Sequence, residues 1–233
     1  LASNDNVDAG RGAVSGHQVA MMGVLAAAGL DMSERFADMH AGVEHARGDE
    51  GPAVESMRAP MRHDASTEAA PQDIPAIARV HVESWQKSFA GIAPQEFLDG
   101  MSVEKRIKAL EQGFAENTFY KMFVAENLGN KVVGFADFGQ SRGENSFEAE
   151  LYAIYFLPEF QRKGIGGKLF RLCQKEIVAN GLDSMCLEAL EISPYRNFYE
   201  KMGGQIVGQN ACKLGGVEFK TLIYGWKDLS RHL

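Results

Sequence analysis

The sequence predicts a mixed α/β domain, and three observations indicate that fold class. Apolar residues recur at helical spacing in three segments, 72–90, 103–117 and 164–180. Apolar and aromatic runs bounded by turn residues predict four strands, 119–126, 131–140, 205–213 and 217–226. A strand, a helix and a strand then follow one another at 148–157, 164–180 and 184–190, which is the order of a βαβ unit with two parallel strands.

Local signals place the remaining elements of this domain. A weak strand near 64–69 precedes the first helix, and Gly129 lies in a hairpin turn between the first two strong strands. Gly181 is expected to end the helix 164–180 as its C-cap. A short helix is predicted at 194–202, with Ser193 as its N-cap and a proline at its first position.

The first 60 residues differ from the rest in composition. An apolar stretch at 19–30 is too short to span a membrane and has no basic segment before it, so we expect neither a membrane anchor nor a signal peptide. Helical spacing at 16–28 and again after Ser33 predicts a helical hairpin, and a Gly-, Pro- and Ala-rich linker follows. We therefore divide the chain into an N-terminal appendage, 1–60, and a domain, 61–233.

Charge and composition restrict the class of partner. The chain has 233 residues and a formal net charge of -7, which argues against nucleic acid and favours an amine or cationic substrate. Cys173, Cys186 and Cys212 form no C-x-x-C pair, so we expect a protein of the reducing cytoplasm without a disulfide framework. The six histidines show no metal-binding spacing, and no metal is expected.

A basic, glycine-rich turn lies between the strand and the helix of the βαβ unit. Its residues are Gln161, Arg162, Lys163, Gly164, Ile165, Gly166 and Gly167. A helix N-terminus offers unpaired N–H groups to a phosphate, glycines allow the phosphate to approach the backbone, and basic side chains add positive charge. The spacing matches neither a Walker loop nor a dinucleotide fingerprint. We interpret the turn as a cradle for a pyrophosphate.

Two motifs in this order resemble the Gcn5-related N-acetyltransferase (GNAT) superfamily. The segment 161–166 is similar to the acetyl-coenzyme A loop of that family, Q/R-x-x-G-x-G/A, and 193–204 is similar to a second motif, N-P-x-R-x-F-Y-E-K-x-G-G. Ser193 stands where the second motif more often has Asn. A looser likeness to the first helices of the family begins at 77, so the resemblance covers about 65–226 and leaves the appendage unassigned.

The resemblance implies a fold, a cofactor and a set of coenzyme contacts. The fold is a mixed, mostly antiparallel sheet flanked by helices, whose two central parallel strands splay apart and hold the coenzyme. The cofactor is acetyl-CoA, used as a co-substrate and without a metal. A bulge before the loop frees backbone N–H groups for the thioester oxygen, by position those of Ile154, Tyr155 and Phe156. Ser193 and Asn197 are further candidate coenzyme contacts, although a helix cap and a solvated helix residue explain them as well.

The reaction then assigns roles to side chains. Tyr199 occupies the place of the family's tyrosine and is the candidate that protonates the leaving thiolate. A period of two places Glu150 on one strand face with Tyr152, Ile154 and Phe156, so Glu150 is the candidate that removes a proton from the amine, with Glu188 as the reserve. Trp85 and Phe89, one helical turn apart, are candidates for the acceptor pocket.

The function that the resemblance implies is direct acetyl transfer from acetyl-CoA to a primary amine of a small molecule or a protein. The alternative is an acyl-CoA sensor without turnover, which would need neither Tyr199 nor a carboxylate in the cleft. A homodimer is left open, and neither nucleic acid nor membrane is expected as a partner.

Overall fold

A computed structural model describes residues 61–116, 119–142 and 145–232, and the predicted appendage at 1–60 lies outside the described residues. The described chain contains seven strands, β1 Met61–Glu68, β2 Lys121–Asn127, β3 Val132–Gln140, β4 Ala149–Phe156, β5 Met185–Leu190, β6 Gln205–Leu214 and β7 Val217–Trp226. It also contains five α-helices, α1 Ile74–Ser88, α2 Gln95–Asp99, α3 Val103–Glu116, α4 Ile165–Ala179 and α5 Asn197–Lys201. The mixed α/β class predicted from the sequence is confirmed.

The strands form one sheet in the order β1-β2-β3-β4-β5-β7-β6. Every neighbouring pair is antiparallel except β4 and β5, which are parallel and are joined by α4 as the βαβ unit requires. The short β6–β7 connection contains Gly215 and Gly216, both with positive φ, because a tight hairpin turn needs left-handed backbone.

The two parallel strands separate soon after they meet. They pair only at Ala149 with Met185 and at Glu150 with Cys186. Beyond these two positions β4 remains paired with β3, and β5 remains paired with β7. The sheet therefore opens into a gap along the second half of β4, as the resemblance implied.

A β-bulge interrupts β4 at the start of this gap. Leu151 pairs with Phe138 and Ala153 pairs with Asp137, so that Tyr152 is an extra residue without a partner on β3. Leu151 consequently packs in the same core cluster as Ile154 and Phe156, while Glu150 lies on the opposite face. The predicted alternation, which placed Glu150 on the face of Ile154, is wrong because one inserted residue reverses the faces.

Helices cover both faces of the sheet. Four residues of α4 with no exposed surface pack on one face, Leu169, Phe170, Cys173 and Ile177. The other face is covered by α1 and α3, through Ile77, Val80 and Leu110. A third cluster joins α1 and α2 to the β6–β7 hairpin around Trp85 and Leu214. The gap between β4 and β5 is thus enclosed from both sides.

Two helical features differ from the sequence prediction. The five-residue helix α2 was not predicted, because it is too short for an apolar period to show. The helix predicted at 194–202 begins only at Asn197, and Arg196 is its N-cap. Ser193 instead accepts a hydrogen bond from the Tyr195 N–H at 3.3 Å, so it caps the turn before the helix rather than the helix itself.

A glycine beneath an aromatic ring gives the first testable prediction. A Cβ at Gly134 on β3 would lie 2.2 Å from Cδ1 of Phe156, whereas a Cβ at Gly113 in α3 would meet nothing within 4 Å. Gly134→Ala should lower the free energy of unfolding by about 1–3 kcal/mol, because the ring must move. Gly113→Ala should raise it by about 0.5–1 kcal/mol, because alanine favours helix. Thermal or urea unfolding of both variants checks this, and equal effects would contradict the packing described.

Candidate active site

A cavity of about 390 Å³ occupies the gap between β4 and β5. Its walls come from the C-terminal end of α1, the second half of β4, the loop before α4, the end of β5 and the segment that leads into α5. The residues that line it are Trp85, Ser88, Phe89, Ile154, Tyr155, Phe156, Phe160, Gln161, Arg162, Gly166, Glu188, Ala189, Leu190, Ser193, Pro194, Tyr195, Asn197, Phe198, Tyr199 and Lys201.

The loop before α4 has the backbone that an anion cradle needs. Arg162 and Gly164 have positive φ values of 57° and 79°, and α4 begins at Ile165. The N–H groups of the first helical turn have no intrahelical acceptor and remain available to a ligand, and Gly166 of this turn lines the cavity. The 15-residue helix adds the positive end of its dipole. Lys163 Nζ lies 5.1 Å from the centroid of the Phe160 ring, which holds its charge beside the loop.

The end of β4 is held by two side chains that bond the same carbonyl. Ser84 Oγ donates to the Phe156 carbonyl at 3.0 Å, and Gln161 Nε2 donates to it at 2.9 Å. Ser84 comes from α1 and is buried, so this bond ties the helix to the strand end across 72 residues. Because β5 is no longer paired with β4 at this point, the Phe156 carbonyl has no backbone donor from β5. The two side chains supply its hydrogen bonds instead.

The N–H groups of β4 point alternately to β3 and to the gap. Leu157 N–H donates to the Val133 carbonyl at 2.9 Å, which fixes the alternation. The N–H groups of Phe156 and Ile154 therefore face the gap, whereas that of Tyr155 faces β3. Of the three amides predicted to bind the thioester oxygen, two are directed into the cavity by their backbone and one is directed into the sheet.

Tyr199 lies on α5, and its half-buried side chain packs against Phe198 and Tyr224 at ring-centroid distances of 5.4 Å. Burial raises the pKa of Tyr199 well above its usual value, and the nearby Tyr155 and Tyr224 add to the shift. Burial also raises the pKa of Tyr155 to about 12. Both phenols line the cavity and keep their protons at neutral and mildly alkaline pH.

Glu188 is the acidic residue of the cavity lining. It lies on β5, two residues beyond the last pair with β4, and its carboxylate accepts a short hydrogen bond from the Thr221 hydroxyl of β7. Thr221 itself is fully buried. The carboxylate is thus oriented at the vertex of the gap, where the two central strands begin to separate.

Aromatic rings form the wall opposite β5. The Trp85 and Phe89 rings lie 4.6 Å apart on α1, and both side chains line the cavity and pack in the core cluster of α1 and α2. The Tyr195 hydroxyl donates to Ser88 Oγ at 3.2 Å, which joins the segment after β5 to the end of α1. This bond closes one side of the cavity.

Sequence comparison shows the family of this chain. The family model of the acetyltransferase (GNAT) domain matches residues 118–203. An uncharacterized N-acetyltransferase of Bacillus subtilis (strain 168), YuaI, is 34% identical over 164 residues, which cover 70% of this chain and 92% of that protein. The chain belongs to the GNAT family of N-acetyltransferases. A probable N-acetyltransferase of Mycobacterium tuberculosis is 28% identical over 165 residues, which cover 70% of this chain and 84% of that protein. This GNAT protein is therefore an acyltransferase.

Solved structures agree with this fold. The PaiA N-acetyltransferase of Thermoplasma acidophilum, in complex with coenzyme A, has a TM-score of 0.53 and 21% identity, and the match covers 70% of this chain and 97% of that one. The acetyltransferase YncA of Salmonella typhimurium, with acetyl-CoA, has a TM-score of 0.52 and 18% identity over 70% and 92% of the two chains. At these identities the likeness concerns the GNAT fold alone.

The structure brings most of the predicted site residues of the GNAT domain together in one cavity. The predicted residues that line it are Ile154, Tyr155, Phe156, Gln161, Arg162, Gly166, Ser193, Asn197, Tyr199, Glu188, Trp85 and Phe89. Lys163, Gly164, Ile165 and Gly167 of the predicted loop are not lining residues. Ser84 and Thr221, which support the strand end and the carboxylate, were not predicted, and neither were Tyr195 and Lys201. Tyr195 and Lys201 stand inside the second motif, which could have drawn attention to them.

Glu150 lies away from this group. It is not a lining residue of the cavity, and it is buried in a salt bridge in which Arg142 Nη2 donates at 2.8 Å and Arg142 Nε at 3.3 Å. The Arg142 backbone N–H also donates to it at 3.1 Å. Both carboxylate oxygens are therefore occupied, which is the arrangement of a structural ion pair.

The cysteines have the surroundings of inert thiols. All three are buried, and burial is the main cause that raises the pKa of each, to about 12 for Cys186 and about 11 for Cys212. A thiol that stays protonated is a poor nucleophile.

The helices within the described residues are too short or too polar to span a membrane.

The ion pair of Glu150 gives the second testable prediction. Arg142→Met removes the partner of a buried carboxylate and should lower the free energy of unfolding at neutral pH by about 3 kcal/mol. This value is at the lower end of the cost of breaking a buried ion pair, because Arg142 is one-third exposed. The effect is expected to be large because the carboxylate that loses its cation is buried.

Lys220→Met is the matched control for this experiment. It breaks the pair of Lys220 with Glu191, in which both side chains are more than 40% exposed, and should cost less than about 1 kcal/mol. Urea unfolding of both variants at neutral pH checks this. Equal deficits would count against the buried ion pair.

Proposed function

We propose that this protein transfers an acetyl group from acetyl-CoA directly to a primary amine. One observation carries the proposal: the same cavity contains the anion-cradle loop, the N–H groups of the unpaired end of β4, a protonated tyrosine and a carboxylate. Acetyl-CoA, when bound, supplies a thioester whose carbonyl carbon accepts the amine and whose sulfur leaves. Each of the four features has a separate task in that reaction.

The loop is suited to bind the pyrophosphate of the coenzyme. The N–H groups of Ile165, Gly166 and Gly167 belong to the first turn of α4, and Arg162 and Lys163 bring two positive charges beside them. Lys201 contributes a third charge to the lining from α5. Gly164 fits its position because its positive φ is strained for other residues.

The backbone N–H groups of Ile154 and Phe156 are suited to stabilise the charge that develops on the thioester oxygen. Donors of this kind are effective when they are fixed before the reaction. The Ser84 and Gln161 bonds to the Phe156 carbonyl fix this stretch of β4. Ser84 is therefore a positioning residue for the amides.

Glu188 is suited to accept a proton from the incoming ammonium group, directly or through water. We propose it in place of Glu150, because Glu188 lines the cavity and Glu150 is occupied by Arg142. In the described lining, no second acid is available for this step. The buried cysteines and their raised pKa values favour direct transfer without a thiol intermediate.

Tyr199 is suited to donate a proton to the leaving sulfur. The nitrogen–carbon bond forms, the carbon–sulfur bond breaks, and the sulfur receives the phenolic proton. Tyr199 recovers a proton from the nitrogen, which releases its second proton when it becomes an amide. The products are an amide and a free thiol, and one proton passes to Glu188 and then to solvent.

Acetyl-CoA binding and thiol release test the proposed function. Calorimetry with acetyl-CoA should show binding, and free thiol should appear only when an amine is present. Gly164→Ala should weaken binding, because alanine is strained at φ 79°. Binding without thiol release from any amine would favour the acyl-CoA sensor, and a lack of binding would overturn the cradle.

Tyr199→Phe should lower kcat by about 100-fold or more with little change in acetyl-CoA affinity, because general acid catalysis contributes about 10²–10⁴-fold. Because the pKa of Tyr199 is raised, the phenol keeps its proton up to about pH 10. In a plot of the wild-type rate against pH, deprotonation of Tyr199 should therefore cause no decrease below that pH. Tyr224→Phe, which keeps the ring beside Tyr199, is the control and should retain most of kcat. An unchanged kcat in Tyr199→Phe would remove it from the mechanism.

A further inference from the structure

The charges of the cavity are separated along its length. Among its described lining residues, Glu188 is the only acid, and Arg162 and Lys201 are the only cations. Arg162 lies in the loop beyond the end of β4, whereas Glu188 lies near the level of the bulge. Several residues of β4 lie between these two levels, so Arg162 and Glu188 are separated along the cavity by on the order of 10 Å. Arg162 thus lies at the coenzyme end, and Glu188 lies at the vertex of the gap, which we assign to the acceptor.

The acceptor end is otherwise aromatic and apolar. Trp85, Phe89 and Tyr155 line it, and Leu190 continues the same surface on β5. A protonated amine beside such rings is stabilised by cation–π interactions with their faces and by attraction to the carboxylate. At this end no described lining residue is a cation, and Arg106, whose charge acts on Tyr155, is not a lining residue. An acceptor carboxylate would lie close to Glu188.

The space is small for a large acceptor. About 390 Å³ must hold the part of the coenzyme that runs from the loop at Arg162 to the acetyl group, together with the acceptor. The Tyr195–Ser88 hydrogen bond closes the side between the segment after β5 and α1. A compact body next to the amine fits this volume, whereas a folded protein surface would require that bond to open.

From this arrangement we infer that the acceptor is a small primary amine with an aromatic or aliphatic body and no carboxylate next to the amino group. Glu188, held by Thr221, selects against amino acids by repelling their carboxylate. The inference rests on the proposed acetyl transfer and adds the class of acceptor. It also assigns the selection to one residue, which makes it testable by substitution.

Matched acceptors separate charge from size. We would measure kcat/KM with acetyl-CoA for 2-phenylethylamine, phenylalanine and phenylalaninamide, and for pentylamine and norleucine. The wild-type protein should prefer each amine to its amino acid at least ten-fold, which corresponds to about 1.4 kcal/mol. Phenylalaninamide has the size of phenylalanine without the negative charge, and its kcat/KM should approach that of the amine.

Two variants assign the preference to Glu188. Glu188→Gln should lower kcat/KM for every acceptor, because the proposed proton acceptor is lost. It should also reduce the ratio of amine to amino acid several-fold, because the repulsion is lost while the shape is retained. Glu191→Gln is the matched control, since Glu191 lies outside the cavity in an exposed pair with Lys220, and it should leave the ratio unchanged. Acetyl-CoA binding by both variants shows that they fold.

The outcomes distinguish this inference from the proposed function. Equal or better use of the amino acids by the wild-type protein, or an unchanged ratio in folded Glu188→Gln, would overturn the selectivity and leave acetyl transfer intact. If kcat/KM for phenylalaninamide is as low as that for phenylalanine, the size of the group next to the amine decides the preference and its charge does not. That result also overturns the inference. If acetyl-CoA binds and none of the five compounds is acetylated, transfer to small amines fails and the inference fails with it.

Discussion

The early separation of β4 and β5 is the constraint on which the site depends. Two parallel strands that stayed paired would use every backbone group between them in hydrogen bonds. Here they pair at two positions only, so the second half of β4 must find other partners. Ser84 and Gln161 satisfy the Phe156 carbonyl, and the N–H groups of Ile154 and Phe156 remain directed at the cavity. The same separation thus creates the space and the donors within it.

The vertex of the gap is fixed by groups that do not take part in the proposed chemistry. Glu150 is the last residue of β4 that pairs with β5, and its salt bridge holds Arg142, whose guanidinium carbon lies 3.6 Å from the centroid of the Tyr152 ring. Tyr152 is the bulged residue, and its hydroxyl donates to the Gln140 carbonyl at 2.6 Å. Breaking a buried pair costs far more than forming it gains. The ion pair of Glu150 therefore lies where β4 and β5 separate, and Glu188 is the residue for which we propose proton transfer.

Sequence patterns predicted the strands, the long helices and the anion-cradle loop, because these depend on neighbours along the chain. They failed at the bulge, since a period of two assumes that every residue pairs, and one unpaired residue moved Glu150 to the other face. The sequence also could not show that Glu188 lines the cavity while Glu150 does not, because that depends on the position at which β4 and β5 separate. Ser84 and Thr221 are ordinary polar residues in the sequence, and their roles follow from contacts 72 and 33 residues away.

Burial of the phenol decides how Tyr199 can work. A thiol has a pKa of about 8.5 and an ordinary phenol about 10, so giving the phenolic proton to the thiolate is uphill by about 2 kcal/mol even before burial raises the pKa of Tyr199 further. In the proposed reaction the basic phenolate is neutralised when it takes the second proton of the nitrogen. We therefore expect Tyr199, which lines the cavity together with Tyr155, to reach both the sulfur and the nitrogen. A tyrosine that contacted the sulfur alone would leave the transfer uphill.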